Sequence, residues 1–182
     1  MDDRSRWDGL LLYGVLPAWI AAGIADWWCH RRSAIDRHAS THESILHLAM
    51  GAQAGATLLA TLFLEPIPAV AAFAIGGALV HEATVVYDVA YTAPRRTITQ
   101  AENHVHSALE ILPFVVASVA TATARRAAPG FRFPALPGGA VVAGIAAAAI
   151  LGMGPHLEEF VRCLRARPTL APQPIDGSSA RP

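Results

Sequence analysis

Residues 101–124 read AENHVHSALEILPFVVASVATATA, an apolar run of helix length that opens on Glu102, His106 and Glu110 and carries no charge from Ile111 onward. Spacings of four residues put those three side chains on one helical face. Ionisable residues inside a membrane-length segment are expensive, so their presence points first to function. Three further apolar segments repeat the pattern: Asp26 with His30, Glu43 with His47, and His81 with Asp88. Four segments that each pair a carboxylate with an imidazole predict a metal site built inside a membrane bundle.

The composition agrees with a membrane chain. Of 182 residues, 53% are hydrophobic and only 15% charged, with a mean hydropathy of +0.37. The apolar residues come in blocks rather than as an alternating face. A formal net charge of zero gives no basic excess of the kind a nucleic-acid partner requires. All 14 basic residues are arginine, which reads as genome composition. Cys29 and Cys163 match no metal or redox spacing and give no disulfide framework. The first six residues, MDDRSR, lack the basic stretch and small-residue cleavage site of a signal peptide. The first apolar block therefore reads as a retained transmembrane helix.

Five blocks approach the about 20 residues needed to span: Gly9–Trp28, Ile45–Leu64, Ile67–Tyr91, Ala101–Ala124 and Leu136–Met153. The expected fold is all-α, a polytopic membrane bundle of about five transmembrane helices with a four-helix metal-binding core. Residues 1–167 form the transmembrane domain, and 168–182, rich in Pro, Ser and Ala, form a disordered tail. The sequence Leu64-Glu65-Pro66-Ile67-Pro68 permits only a tight turn. Small residues recur at four-residue spacing in Gly51/Gly55 and in Gly139/Ala143/Ala147, permitting close helix approach. The fifth block holds no ionisable residue and reads as scaffold or oligomer contact. Arg31, Arg32, Arg37, Arg95, Arg96, Arg162, Arg165 and Arg167 fall on one side, against Arg4, Arg6, Arg125, Arg126 and Arg132 on the other. Positive-inside reasoning then places the N-terminus outside and the C-terminus in the cytoplasm, in a bacterial inner membrane.

At 1.5 Å rise per residue, Asp26 and His30 lie ~25 and ~31 Å from the outer entry of the first span. His81 and Asp88 lie ~21 and ~31 Å into the third. The second and fourth spans run back from the inner side. Glu43 and Glu102 sit at that boundary, His47 and His106 only ~6–7 Å deeper, and Glu110 ~13 Å deeper. All four sets share the inner third of a core about 30 Å thick.

Four imidazoles and four to five carboxylates exceed what one zinc takes. They suit two metal ions with mixed ligands, as in di-iron carboxylate bundles. The expected ligands are Asp26, His30, Glu43, His47, His81, Asp88, Glu102, His106 and Glu110, with His106 near the centre of a dinuclear site. Glu82 points ~100° away from His81 and reads as a supporting group. His38, His42 and His104 are juxtamembrane, with His42 as reserve ligand. His156, after Gly154-Pro155, reads as a surface residue.

His38-x-x-x-His42 and His104-x-His106 resemble the histidine boxes of the membrane fatty-acid desaturase and hydroxylase superfamily. The likeness covers only these short motifs, and the family's His-x-x-His-His boxes are absent. It implies two iron ions at the cytosolic ends of transmembrane helices. It also implies an oxygen-activating oxidoreductase with a hydrophobic small-molecule substrate, an electron donor and the lipid bilayer as partners. One alternative is a zinc hydrolase of a lipid amide or ester, given the similar His/Asp vocabulary of multi-span ceramidase-like enzymes. Another is a metal or proton carrier. Homo-oligomer or membrane-complex formation fits the small-residue faces.

Overall fold

A computed structural model describes residues 3–38, 40–124 and 139–166. The connection after residue 124, the tail from 167 and the side chains of Arg37 and His38 lie outside the described residues.

The described chain is helical throughout, joined by short turns, and it forms a bundle. Helix α1 (Asp3–Leu10) runs through a π-helical turn at Leu11–Val15 into α2 (Leu16–Arg32). Among the described residues, four segments are long and apolar enough to cross a membrane: Ser5–Arg32, Thr41–Phe63, Pro68–Thr92 and Gln100–Ala124. They correspond to α1–α2, α4 (Ser40–Phe63), α5 (Pro68–Thr92) and α6 (Gln100–Ala124). The last helix, α7 (Gly139–Arg165), is as long and apolar in its first half, but ends in Glu158, Glu159, Arg162 and Arg165. It therefore continues well past the expected end at Met153.

The helices pack up and down around a shared interior. α4 pairs with α5 across the tight turn, α5 with α6, and α7 lies against both α2 and α4. Pro68 occupies the first turn of α5, where a missing N–H costs nothing. Thr99 and Glu102 open α6 as a capping box: the Glu102 amide donates to Thr99 Oγ1 at 3.2 Å and the Thr99 amide to the Glu102 carboxylate at 3.4 Å. Away from the acids and histidines, α5 and α6 share a core cluster made only of alanine, with Ala71, Ala74 and Ala78 against Ala117, Ala120 and Ala124. Such small side chains let two backbones approach in lipid, where hydrophobicity does not drive association. Gln53 Nε2 donates to Thr84 Oγ1 at 3.1 Å and ties α4 to α5. Large apolar side chains face outward, including Tyr13 at 85% and Ile150 at 71% exposure. An outer shell of this kind suits hydrocarbon rather than water.

The link between α2 and α4 is folded under the bundle. Ala34 takes a left-handed φ of 50°, which turns the chain into the short helix α3 (Ile35–His38). Ile35 is fully buried beside Cys163 of α7, and Arg162 donates to Asp36 at 2.7 Å. These contacts fix the end of α7 against the end of α2.

Candidate metal centre

Glu159 of α7 organises the centre. It is fully buried, and its two oxygens meet two imidazoles: Oε2 lies 2.8 Å from His30 Nδ1 and Oε1 lies 2.7 Å from His47 Nδ1. The rings stack with centroids 4.5 Å apart and planes within 10°. An ionised carboxylate only accepts, so both Nδ1 atoms donate to it and each ring turns its Nε2 away from Glu159. His30 Nε2 lies 3.3 Å from Glu102 and 3.6 Å from Asp26 without hydrogen-bond alignment to either, and His47 Nε2 lies 3.7 Å from Asp88. A histidine held at one nitrogen by a carboxylate, with the other nitrogen bare and buried, has the form of a metal ligand with its supporting group.

Asp26 sits between the histidines. Its Oδ1 is 2.9 Å from His106 Nε2, yet out of line for a hydrogen bond. Potential ligand atoms gather within 4.8 Å of one another in three groups: Asp26, His47 and His156; Asp26, His30 and His106; and His30, Glu43 and His47. Bonds of about 2.0–2.2 Å to a common ion separate two ligands by at most ~4.4 Å. Three ligands spread around one ion at such bonds stand ~3.8 Å apart or less, so up to about 1 Å of closure would bring a group onto one ion, and the mix of imidazoles and carboxylates fits a metal. Asp26 belongs to two of the groups.

A second layer closes the site. Arg96, in the turn between α5 and α6, is only 3% exposed. Its Nε donates to Glu43 at 3.2 Å, and its Nη2 bonds both Glu43 and Glu102, each fully buried. Burial disfavours the guanidinium charge, but the bond to Glu102 and the charge of Glu43 outweigh it and raise the arginine pKa. Expected as a topology-setting loop charge, Arg96 instead pairs with two buried acids, its single positive charge offsetting one of their two negative ones.

Above the centre a cavity of about 200 Å³ runs along the bundle. Asp26, His47, His81, Asp88, His106 and His156 line one end, while Leu12, Leu16, Leu58 and Leu62 line the other.

Of the expected ligands, Asp26, His30, Glu43, His47, His81, Asp88 and Glu102 are buried, and His106 is nearly so. Glu110 is half-buried, and it, His81, Asp88 and Glu102 belong to none of the three groups. Glu82 is likewise half-buried. His104 is exposed, and His42 packs on Tyr91 and lies 3.3 Å from the Tyr87 hydroxyl. His156 corrects the expectation of a surface residue: it is 8% exposed and faces His47, with centroids 6.1 Å apart. α7 is likewise more than scaffold. The centre is built from five helices rather than four, because Pro155 does not end α7 and one further turn brings Glu159 inward.

Comparison with protein-family models, curated proteins and solved structures finds no match to this chain. Membrane-length helices around buried His and acid groups that can hold a metal define the class: the arrangement fits a membrane metalloprotein.

Proposed function

We propose that this protein is a multi-pass membrane oxidoreductase that holds two iron ions and acts on a lipid-soluble substrate. The observation that carries the reading is Asp26, a buried carboxylate shared by a His47/His156 group and a His30/His106 group. A carboxylate common to two imidazole groups suits a pair of metals, and mixed imidazole and carboxylate donors suit non-haem iron. When bound, such a pair supplies redox chemistry toward dioxygen. The chain's own residues orient the ligands through Glu159, exclude water from the inner face through Arg96, Glu43 and Glu102, and admit an apolar molecule to the cavity. Electrons come from a separate donor. Metal analysis of protein purified without chelators tests this: about two irons per chain supports it, and one zinc replaces it with the second reading.

That second reading is a zinc hydrolase of a lipid amide or ester. Asp26, His47 and His156 form a three-residue group, the number of protein ligands a catalytic zinc takes while keeping a position for water. For a metal or proton carrier the support is weaker, since the far part of the cavity is lined by leucines.

The arginine distribution supports a cytoplasmic position for the centre in a bacterial inner membrane. An Arg95→Cys variant should resist impermeant thiol reagents in whole cells and react after lysis. Labelling of intact cells would reverse the orientation.

A further inference from the structure

The cavity is polar at one end only, and that end is sealed. Behind Asp26 and His47 stand Glu43, Glu102 and Glu159, all fully buried, with Arg96 at 3% exposure. A ligand head group that must reach water cannot pass this layer without breaking the Arg96 ion pairs. The apolar part extends from His47 to Leu62 along α4, ~22 Å by helical rise, most of a hydrocarbon core about 30 Å thick. Leu59 of α4 and Ala149 of α7 line this part and are both exposed, which points to a sideways opening between those two helices.

Resting on the reading of the polar end as a metal centre, we propose the substrate class. It is a single straight-chain amphiphile with a compact oxygen-bearing head (an alcohol, aldehyde or carboxylate), entering between α4 and α7 and seated head-first at Asp26 and His47. The reacting position is then the head carbon rather than a methylene along the chain. Diacyl phospholipids do not fit, because their head groups would have to lie in the sealed layer and their second chain has no separate channel in the cavity.

Gly55 gives the handle. It lines the cavity two turns from His47, ~12 Å along α4, and a Cβ built there meets nothing within 4 Å. A side chain at this position starts into open space, so a leucine is the probe chosen to obstruct the channel there.

The test uses full-length protein in a steroidal detergent, which offers no alkyl chain to compete. Binding of saturated alcohols, aldehydes and acids of increasing length, and of a diacyl phosphatidylglycerol, is followed by thermal stabilisation, with metal content measured on the same samples. Wild-type protein should bind long chains best, with the preferred head identifying the oxidation state. Gly55→Leu should keep its metal, bind chains shorter than the blocked depth as before, and bind longer ones about tenfold more weakly or worse. Preference for the phospholipid, or the same length profile in Gly55→Leu and wild type, would overturn the proposal. A metal-free protein with the expected length profile would support the chain-binding assignment while removing the metal reading, so the two failures are told apart.

Discussion

His30 and His47, on helices that run in opposite directions, stack with centroids 4.5 Å apart because the two oxygens of Glu159 hold one Nδ1 each. The pairing turns two separate side chains into one preorganised unit whose Nε2 atoms are buried without a hydrogen-bond partner. Orientation of this kind contributes to metal affinity without contacting the metal.

Glu159→Gln is therefore expected to weaken metal binding roughly 10–100-fold, the range typical for loss of a supporting carboxylate. An amide presents one acceptor oxygen and cannot serve both Nδ1 atoms. Competition against a chelator of known affinity measures the loss. Unchanged affinity would show that the two imidazoles are not ligands.

His47→Ala, His106→Ala and His156→Ala should each lower metal occupancy, whereas Glu110→Ala should leave it intact. The three histidines belong to the groups around Asp26, and Glu110 belongs to none. Elemental analysis of the four variants, beside a folded-state control by circular dichroism, decides. Full metal in His156→Ala would remove α7 from the ligand set and leave Glu159 as its sole contribution.

Arg96→Met should destabilise the protein by about 3–5 kcal/mol, since it strands two fully buried carboxylates. Adding Glu43→Gln and Glu102→Gln should recover most of that, because removing a whole buried ion network is far cheaper than removing one member. Thermal unfolding in detergent compares the single and triple variants. A triple variant no more stable than the single one would mean that Arg96 acts through packing rather than charge.

Gly77→Ala and Gly76→Ala, one residue apart on α5, should differ sharply. A Cβ at Gly77 runs into Thr57 Cγ2, and Thr57 is 2% exposed, β-branched and fixed by hydrogen bonds along α4. A Cβ at Gly76 meets nothing within 4 Å. Overpacking of this kind costs about 1–3 kcal/mol, while Gly76→Ala should be neutral or stabilising through helix propensity. Equal unfolding temperatures would show that α5 shifts freely against α4.

The sequence made the membrane-length helices readable as uninterrupted apolar blocks, and their shared polar depth readable from constant helical rise. Asp26/His30, Glu43/His47 and Glu102/His106 stood out because i,i+4 pairs on one face need no tertiary information. Glu159 and His156 did not. Gly154-Pro155 reads as a helix end, yet a proline inside a membrane helix is tolerated when neighbours satisfy the freed carbonyl. The missed signal was His156-x-x-Glu159, one turn apart on a single face, followed by arginines suited to a helix C-terminus. Arg96 was hidden for a different reason. A loop arginine ordinarily reports topology, and only the fold shows that its turn tucks under two acids.

The position of Glu159 and His156 on the last helix sets an order of events during biogenesis. Membrane helices insert first and associate afterwards, and α7 follows every other ligand-bearing helix along the chain. Until it docks, His30 and His47 have no common acceptor, and the Asp26 group lacks His156. The nascent protein thus passes through insertion without a finished metal-binding face. Two of the three candidate groups, Asp26/His30/His106 and His30/Glu43/His47, come from helices that precede α7, so docking of α7 adds the His156 group and the carboxylate that locks His30 against His47.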